Sequence, residues 1–204
     1  MKKTLIVTAH PSPKGLTHGI ANVLKDEREE KGGNVEIFDL YKTDLKQDFL
    51  KFEDIHNIPA DPVREIIQGK IKDADELIFI HPVWWLSMPA IMKNFVDHNI
   101  SARFAYRYIN GKRVGLLKGK TSRVYVTGDA PFWLYLFSGF PLITAWGMGI
   151  LAFSGIRVDG FTIICNRCFK SDVERGVYLQ KLKRKSNNRS IILSILTKIS
   201  DLIQ

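Results

Sequence analysis

Short, uninterrupted apolar runs alternate along the chain with longer stretches whose apolar positions recur at helical spacing. The clearest such block is Leu77 to Asp97. Leu77-Ile78-Phe79-Ile80 is apolar throughout and bounded closely enough to be a buried strand. Met88 to Asp97 follows with Ile91, Met92, Phe95 and Val96 on one helical face. The same pairing opens the chain. Lys2 to Ala9 reads as a strand that stops at His10-Pro11, and a helix starts near Leu16 or Thr17, carries Ile20, Ala21, Val23 and Leu24, and ends at Gly32-Gly33. Asn34 to Leu40, Ser122 to Gly128 and Arg157 to Cys165 supply further strands, and Pro62 to Lys72 a further helix. Ser171 with Glu174 forms a capping box at the start of the last helix. Tyr41 to Pro62 and Ser101 to Tyr108 read as irregular.

Strands that alternate with helices describe a parallel sheet covered on both faces. The expected class is α/β, a flavodoxin-like three-layer fold with a five-stranded parallel sheet and helices on both faces. Residues 1–185 make one domain on this reading. Residues 186–204 form a tail in which Ile192, Ile195, Leu196, Ile199, Leu202 and Ile203 make an amphipathic helical stripe. Ala130 to Ile156 holds no charged residue, a length that invites a membrane span. Pro131, Gly139, Pro141, Gly147, Gly149 and Gly155 interrupt it, so it reads as a loop followed by a buried helix.

Composition narrows the class further. The 204 residues are 45% hydrophobic and 25% charged, ordinary for a globular chain, but the net charge of +9 asks for a reason. Acidic polymers, membrane surfaces and phosphorylated cofactors would each attract it. Much of the excess sits in Lys181, Lys183, Arg184, Lys185 and Arg189, where a solvated helix face suffices. Nucleic acid is not expected, because the aromatic residues cluster with proline and apolar residues instead of interleaving with lysine and arginine. Cys165 and Cys168 are the only cysteines. With no second pair and no nearby histidine they read as two reduced thiols, and no metal site is expected. Without a secretory pattern at the start of the sequence, the expected compartment is cytoplasmic.

Three loops carry the candidate chemistry. His10-Pro11-Ser12-Pro13-Lys14-Gly15-Leu16-Thr17 offers backbone amides, a helix N-terminus, hydroxyls and a cation, which is what a phosphate needs. It has neither the G-x-G-x-x-G nor the Walker spacing, and taken alone it is also a plain strand-to-helix turn. Pro82 to Ser87 holds Trp84 and Trp85, which as strand neighbours cannot both face one core. They read either as a wall for a flat aromatic cofactor or as a hydrophobic plug between two elements. The third loop, Thr127-Gly128-Asp129-Ala130-Pro131, is built of small residues that admit a ring system closely. In a flavodoxin-like order these three strand ends are neighbours. A phosphate on the first loop with a tricyclic ring between the other two makes a flavin site, and amides around Gly128 would answer negative charge on the reduced ring.

These residues resemble the NAD(P)H:quinone oxidoreductase family over positions 2 to about 185. The likeness is strongest in Ala9-His10-Pro11 with Leu16-Thr17-His18, in the stretch from Pro82 through Pro89-Ala90 to Lys93, in Phe104-Ala105-Tyr106-Arg107-Tyr108, and in Gly149 to Gly155. The resemblance implies an enzyme with FMN, or alternatively FAD, that passes hydride from NADH or NADPH to a quinone-like acceptor, usually as a homodimer. FMN is the leaning, because no segment evidently builds an adenosine pocket. His10, Gly15, Leu16 and Thr17 would hold the phosphate end. Pro82, Val83, Trp84, Trp85 and Leu86 would line the ring together with Thr127, Gly128 and Asp129. Tyr106, Tyr108 and Phe153 match positions that close the acceptor pocket from the neighbouring subunit, so Gly128, Tyr106 and Tyr108 are the candidate catalytic positions. Gly15 and Thr17 stand where the family often has serine and asparagine. Between Ala130 and Gly149 there is Tyr135 but no histidine. The alternative is a flavin-binding regulatory subunit of a membrane transporter, such as a potassium-efflux system, docked through the basic C-terminal tail.

Overall fold

The computed structural model describes residues 1–54, 59–130, 132–137, 141–165 and 171–185. In chain order, β1 (Lys3–Thr8) leads through α1 (Leu16–Glu30) to β2 (Asn34–Asp39), and α2 (Pro62–Asp73) leads to β3 (Glu76–Pro82). After α3 (Ala90–Asn99) come β4 (Tyr106–Ile109), β5 (Lys112–Gly115) and β6 (Thr121–Gly128). Two short helices, α4 (Phe132–Phe137) and α5 (Pro141–Thr144), precede a π-helix (Ala145–Ala152), β7 (Arg157–Cys165) and α6 (Asp172–Lys185). Five strands form one parallel sheet in the order β2-β1-β3-β6-β7. The sheet and its flanking helices are the three-layer architecture expected from the sequence.

Side-chain alternation sorts the core into two layers. Ile6, Ile78, Ile80 and Tyr125 point to one face and pack with Leu16, Ile20 and Leu24 of α1. Leu5, Val7, Leu77, Phe79, Val124 and Val126 point to the other and pack with Ile67 of α2, Met92 of α3 and Trp146 of the π-helix. Every residue of β3 is buried, which is why its sequence runs apolar instead of alternating. Local chemistry sets the helix starts. The Asp61 carboxylate accepts from the amides of Val63 at 3.0 Å and Arg64 at 3.2 Å, with Pro62 in the first turn. The Ser171 hydroxyl accepts from the Glu174 amide at 3.2 Å, as the capping pattern requires.

Three expectations need correction. Tyr106 to Tyr108 is not irregular, because it belongs to β4, which pairs antiparallel with β5. Asn110 and Gly111, at φ 51° and 75°, close the hairpin in the left-handed conformations that a two-residue turn demands. β3 extends through His81 and Pro82, beyond its apolar run, because both pair with β6. The uncharged segment is not a loop and one helix. It divides at Pro141, which can only begin a helix, and continues as a π-helix that buries Trp146 and Leu151. Among the described residues no helix is long and apolar enough to cross a membrane. The tail of residues 186–204 lies outside them.

Candidate functional site

The strand order brings the C-terminal ends of β1, β3 and β6 side by side. A cleft of about 420 Å³ opens there. His10 enters it from the first loop, Pro82, Val83, Trp84, Trp85 and Leu86 from the second, and Thr127, Gly128 and Asp129 from the third. The second and third loops are fastened to each other. Pro82 pairs with Thr127 at the end of the ladder, and the Val83 amide donates to the Thr127 carbonyl at 2.7 Å.

Beyond Val83 the chain turns sharply. Trp84 and Ser87 exchange backbone hydrogen bonds of 3.0 and 2.9 Å, and Trp85 and Leu86 between them sit at φ 53° and 58°. Such angles strain residues other than glycine and concentrate where a site dictates the backbone. The turn throws the Trp85 side chain outward, 99% exposed, while Trp84 is 42% exposed. A plug between two elements would be buried, so that reading is excluded. Nor do the indoles form a closed wall: both edge the cleft, and Trp85 stands almost wholly in solvent.

His81 lies beneath this rim, fully buried. Its Nδ1 is 2.8 Å from the Pro82 carbonyl, which can only accept, and the Trp146 indole N–H donates to Nε2 over 3.0 Å. Both ring nitrogens are thereby satisfied in one neutral tautomer. Burial pushes the His81 pKa down to about 4, against a smaller upward pull from the Pro82 carbonyl. The bond chain from Pro82 to His81 to Trp146 ties the tip of β3 to the π-helix. His81 was legible only as a histidine before a proline at a strand end, a weak signal.

Gly128 has no room for a side chain. A Cβ there would come within 2.1 Å of the Tyr135 hydroxyl and 3.6 Å of the Val83 Cβ. Tyr135, from α4, lines the cleft with Ala130 and Leu134. Burial raises its phenol pKa, the Asp129 charge raises it further, and a hydrogen bond with the Ala130 backbone opposes both. The sequence reading noted Tyr135 without placing it in the site.

The first loop is shaped around His10. A Cβ on Gly15 would meet the His10 Nδ1 at 2.8 Å, and the Ser12 amide donates to the same nitrogen at 3.1 Å. Gly15 caps α1 without a side-chain bond. Gly15, Leu16 and Thr17 do not line the 420 Å³ cleft. Leu16 packs into the core, so only its backbone is available to a ligand. Thr17 is fully buried and its hydroxyl has no hydrogen-bond partner, as is true of Thr8 on the α1 face of β1. Orphaned hydroxyls beside a helix N-terminus fit a phosphate. FMN, the cofactor implied by the resemblance, therefore suits these residues.

Tyr106, Tyr108 and Phe153 form a separate aromatic group. The Tyr106 ring lies 4.8 Å from Phe153 and 6.2 Å from Tyr108, and the Arg113 guanidinium sits 4.7 Å above Phe153. None of the three lines the cleft of its own chain, and Tyr108 is 63% exposed. Cys168 and the Cys165 side chain lie outside the described residues. Among those described, no group of histidine, cysteine and acidic side chains is arranged to hold a metal.

A family model described as flavodoxin-like fold matches residues 2–181. An uncharacterized NAD(P)H oxidoreductase of Haemophilus influenzae is 36% identical over 127 residues, 60% of this chain and 62% of that protein, so the chain spans a little under two thirds of its length. An FMN-dependent NADH:quinone oxidoreductase of Clostridium beijerinckii is 31% identical over 77% of this chain and 82% of its own. Among solved structures, Smu.1420 from Streptococcus mutans superposes with a TM-score of 0.73 at 28% identity, covering 89% of this chain and 97% of that one.

Proposed function

Since the chain belongs to the flavodoxin-like fold family, we propose that it is an oxidoreductase that binds FMN in the cleft and passes hydride from NADH or NADPH to a quinone-like acceptor. The observation that carries this is the meeting of three loops in one cleft, where His10 leaves no room for a side chain on the neighbouring Gly15 and Tyr135 leaves none on Gly128. The names of the Clostridium and Haemophilus proteins point the same way. In balance, NAD(P)H, a proton and a quinone give NAD(P)⁺ and a hydroquinone.

FMN, when bound, supplies a site that accepts hydride and later gives it up. The protein does the rest. The N-terminus of α1, the Gly15 backbone and the Thr17 hydroxyl hold the phosphate. Pro82 to Leu86 and Thr127 to Asp129 flank the ring, and the His81–Trp146 bond chain keeps the first of these walls in place. Backbone amides around Gly128 would be placed to answer negative charge on the ring side of the cofactor.

A homodimer completes the site on this reading. Trp85, Trp133 and Tyr108 are large apolar side chains left open to water, which a second copy would cover. Tyr106, Tyr108 and Phe153 then close the acceptor pocket of the partner subunit. A cytoplasmic setting supplies NAD(P)H. The alternative of a regulatory transporter subunit finds no support in the relatives described above. The test is spectroscopic: FMN-loaded protein should be bleached anaerobically by NADH or NADPH, recover its colour with a quinone, and show ping-pong kinetics. A loaded protein that neither nucleotide bleaches contradicts the proposal.

A further inference from the structure

The charge of the cleft is at odds with the charge of the chain. The protein carries a net +9, yet among the described residues no lysine or arginine lines the cleft, and its one carboxylate is Asp129. We propose that the Asp129 carboxylate lowers the reduction potential of the flavin bound there. This rests on the functional reading above and assigns a role that the reading leaves open.

The placement of Asp129 follows from the backbone. Thr127 is locked to Val83 by the 2.7 Å hydrogen bond and Gly128 is packed beneath Tyr135, so the backbone delivers the next residue, Asp129, to the cleft rim, which it lines. Its charge acts on a neighbouring group of the same cleft, since it helps to raise the Tyr135 phenol. Hydride carries two electrons and one proton, so a ring that takes it up gains one negative charge. Asp129 is exposed, so water screens part of its charge, but a carboxylate on the cleft rim still disfavours that charged form relative to the oxidised form. Among the described residues no cation offsets it from below, since His81 is held neutral by the Trp146 donor and the Pro82 acceptor. The other groups that titrate in the lining are His10 and Tyr135, and the His10 ring is engaged with the first loop through Ser12. Lys14 belongs to that loop but does not line the cleft. The consequence is a more strongly reducing ring, which extends the usable acceptors to quinones of lower potential.

The experiment is a redox titration of the FMN-loaded full chain against a reference dye, in wild type, Asp129→Asn, Asp129→Glu and Asp26→Asn. Asp26 is exposed on the far half of α1 and makes the same change in net charge. The midpoint should move positive in Asp129→Asn and stay at the wild-type value in Asp129→Glu and Asp26→Asn. An unmoved or more negative midpoint in a flavin-loaded Asp129→Asn protein overturns the inference and leaves the functional reading standing. So does an Asp129→Asn chain that folds but no longer takes up FMN, because the Asp129 charge would then be required to hold the flavin and not merely to set its potential. A wild-type chain that binds no FMN overturns the functional reading and this inference together.

Discussion

Gly128→Ala tests the geometry of the third loop most sharply. The added Cβ would stand 2.1 Å from the Tyr135 hydroxyl, well inside van der Waals contact, while the Tyr135 Cζ is 3.4 Å away and Val83 Cβ 3.6 Å. The clash is therefore with one oxygen atom. That oxygen cannot retreat freely, because the Tyr135 ring is buried and its hydroxyl is engaged with the Ala130 backbone. Overpacking of this kind costs about 1–3 kcal/mol, which for a chain of this size is a loss of roughly 2–12 °C in melting temperature. Tyr135→Phe alone removes one hydrogen bond, worth about 1 kcal/mol. In the double variant, with the oxygen gone, the nearest ring carbon is at ordinary contact distance, so the two changes should partly cancel, with a coupling of at least about 1 kcal/mol. Urea denaturation of the four proteins measures it. A Gly128→Ala protein as stable as wild type, or strictly additive losses, would refute the packing described here.

Three further outcomes follow from buried groups. His81 stays neutral in the fold down to about pH 4 whereas its ordinary pKa is 6.5, so the unfolded chain binds the extra proton first. Its contribution is present above about pH 6.5 and is lost as pH falls toward 4, by roughly 3 kcal/mol; in His81→Phe the stability–pH curve should flatten across that window, and an unchanged slope would count against the assignment. Trp146→Phe leaves the His81 Nε2 buried without its donor, which should cost about 1–3 kcal/mol in chemical denaturation. At the other end of the sheet, Glu76 accepts from Arg28 at 3.1 Å and pairs with Lys2 at 3.3 Å. Burial pushes its pKa up, but these partners win and hold it below the ordinary 4.5, so its stabilisation is present above that pH and lost on acidification. Glu76→Gln should remove about 3 kcal/mol, because it breaks a buried ion pair and leaves Arg28 with Glu27 as its remaining close carboxylate, and a loss under 1 kcal/mol would show the network to be dispensable.

The fold was legible wherever burial dictated residue type. Leu77 to Ile80 could be apolar throughout only in a strand covered on both faces, and Asp61-Pro62 announces a helix start through chemistry that acts within four residues. The hairpin was not read: Asn110-Gly111 is a turn signal, but the polar residues on either side of it masked the two strands. The π-helix was not: Ala145 to Ala152 is apolar on every side, so no periodicity distinguishes one helical pitch from another. At the site, sequence reading located the three loops, because glycine, proline and tandem tryptophans are local signals. It missed the direction of Trp85, which depends on a strained turn with no glycine to mark it. It also missed Tyr135 and His81 as parts of the site, because their partners, Gly128 and Trp146, are joined to them only by tertiary packing.

The central claim is that one cleft clasps a flavin and its phosphate through the tips of β1, β3 and β6. Titrating the flavin-free protein against FMN and, separately, riboflavin, with flavin fluorescence as the readout, tests it most directly. We expect saturation at one FMN per chain and affinity for riboflavin weaker by roughly tenfold or more, since the phosphate contributes charge-assisted hydrogen bonds at the α1 N-terminus. Equal affinity for the two, or no quenching by the protein, would contradict it.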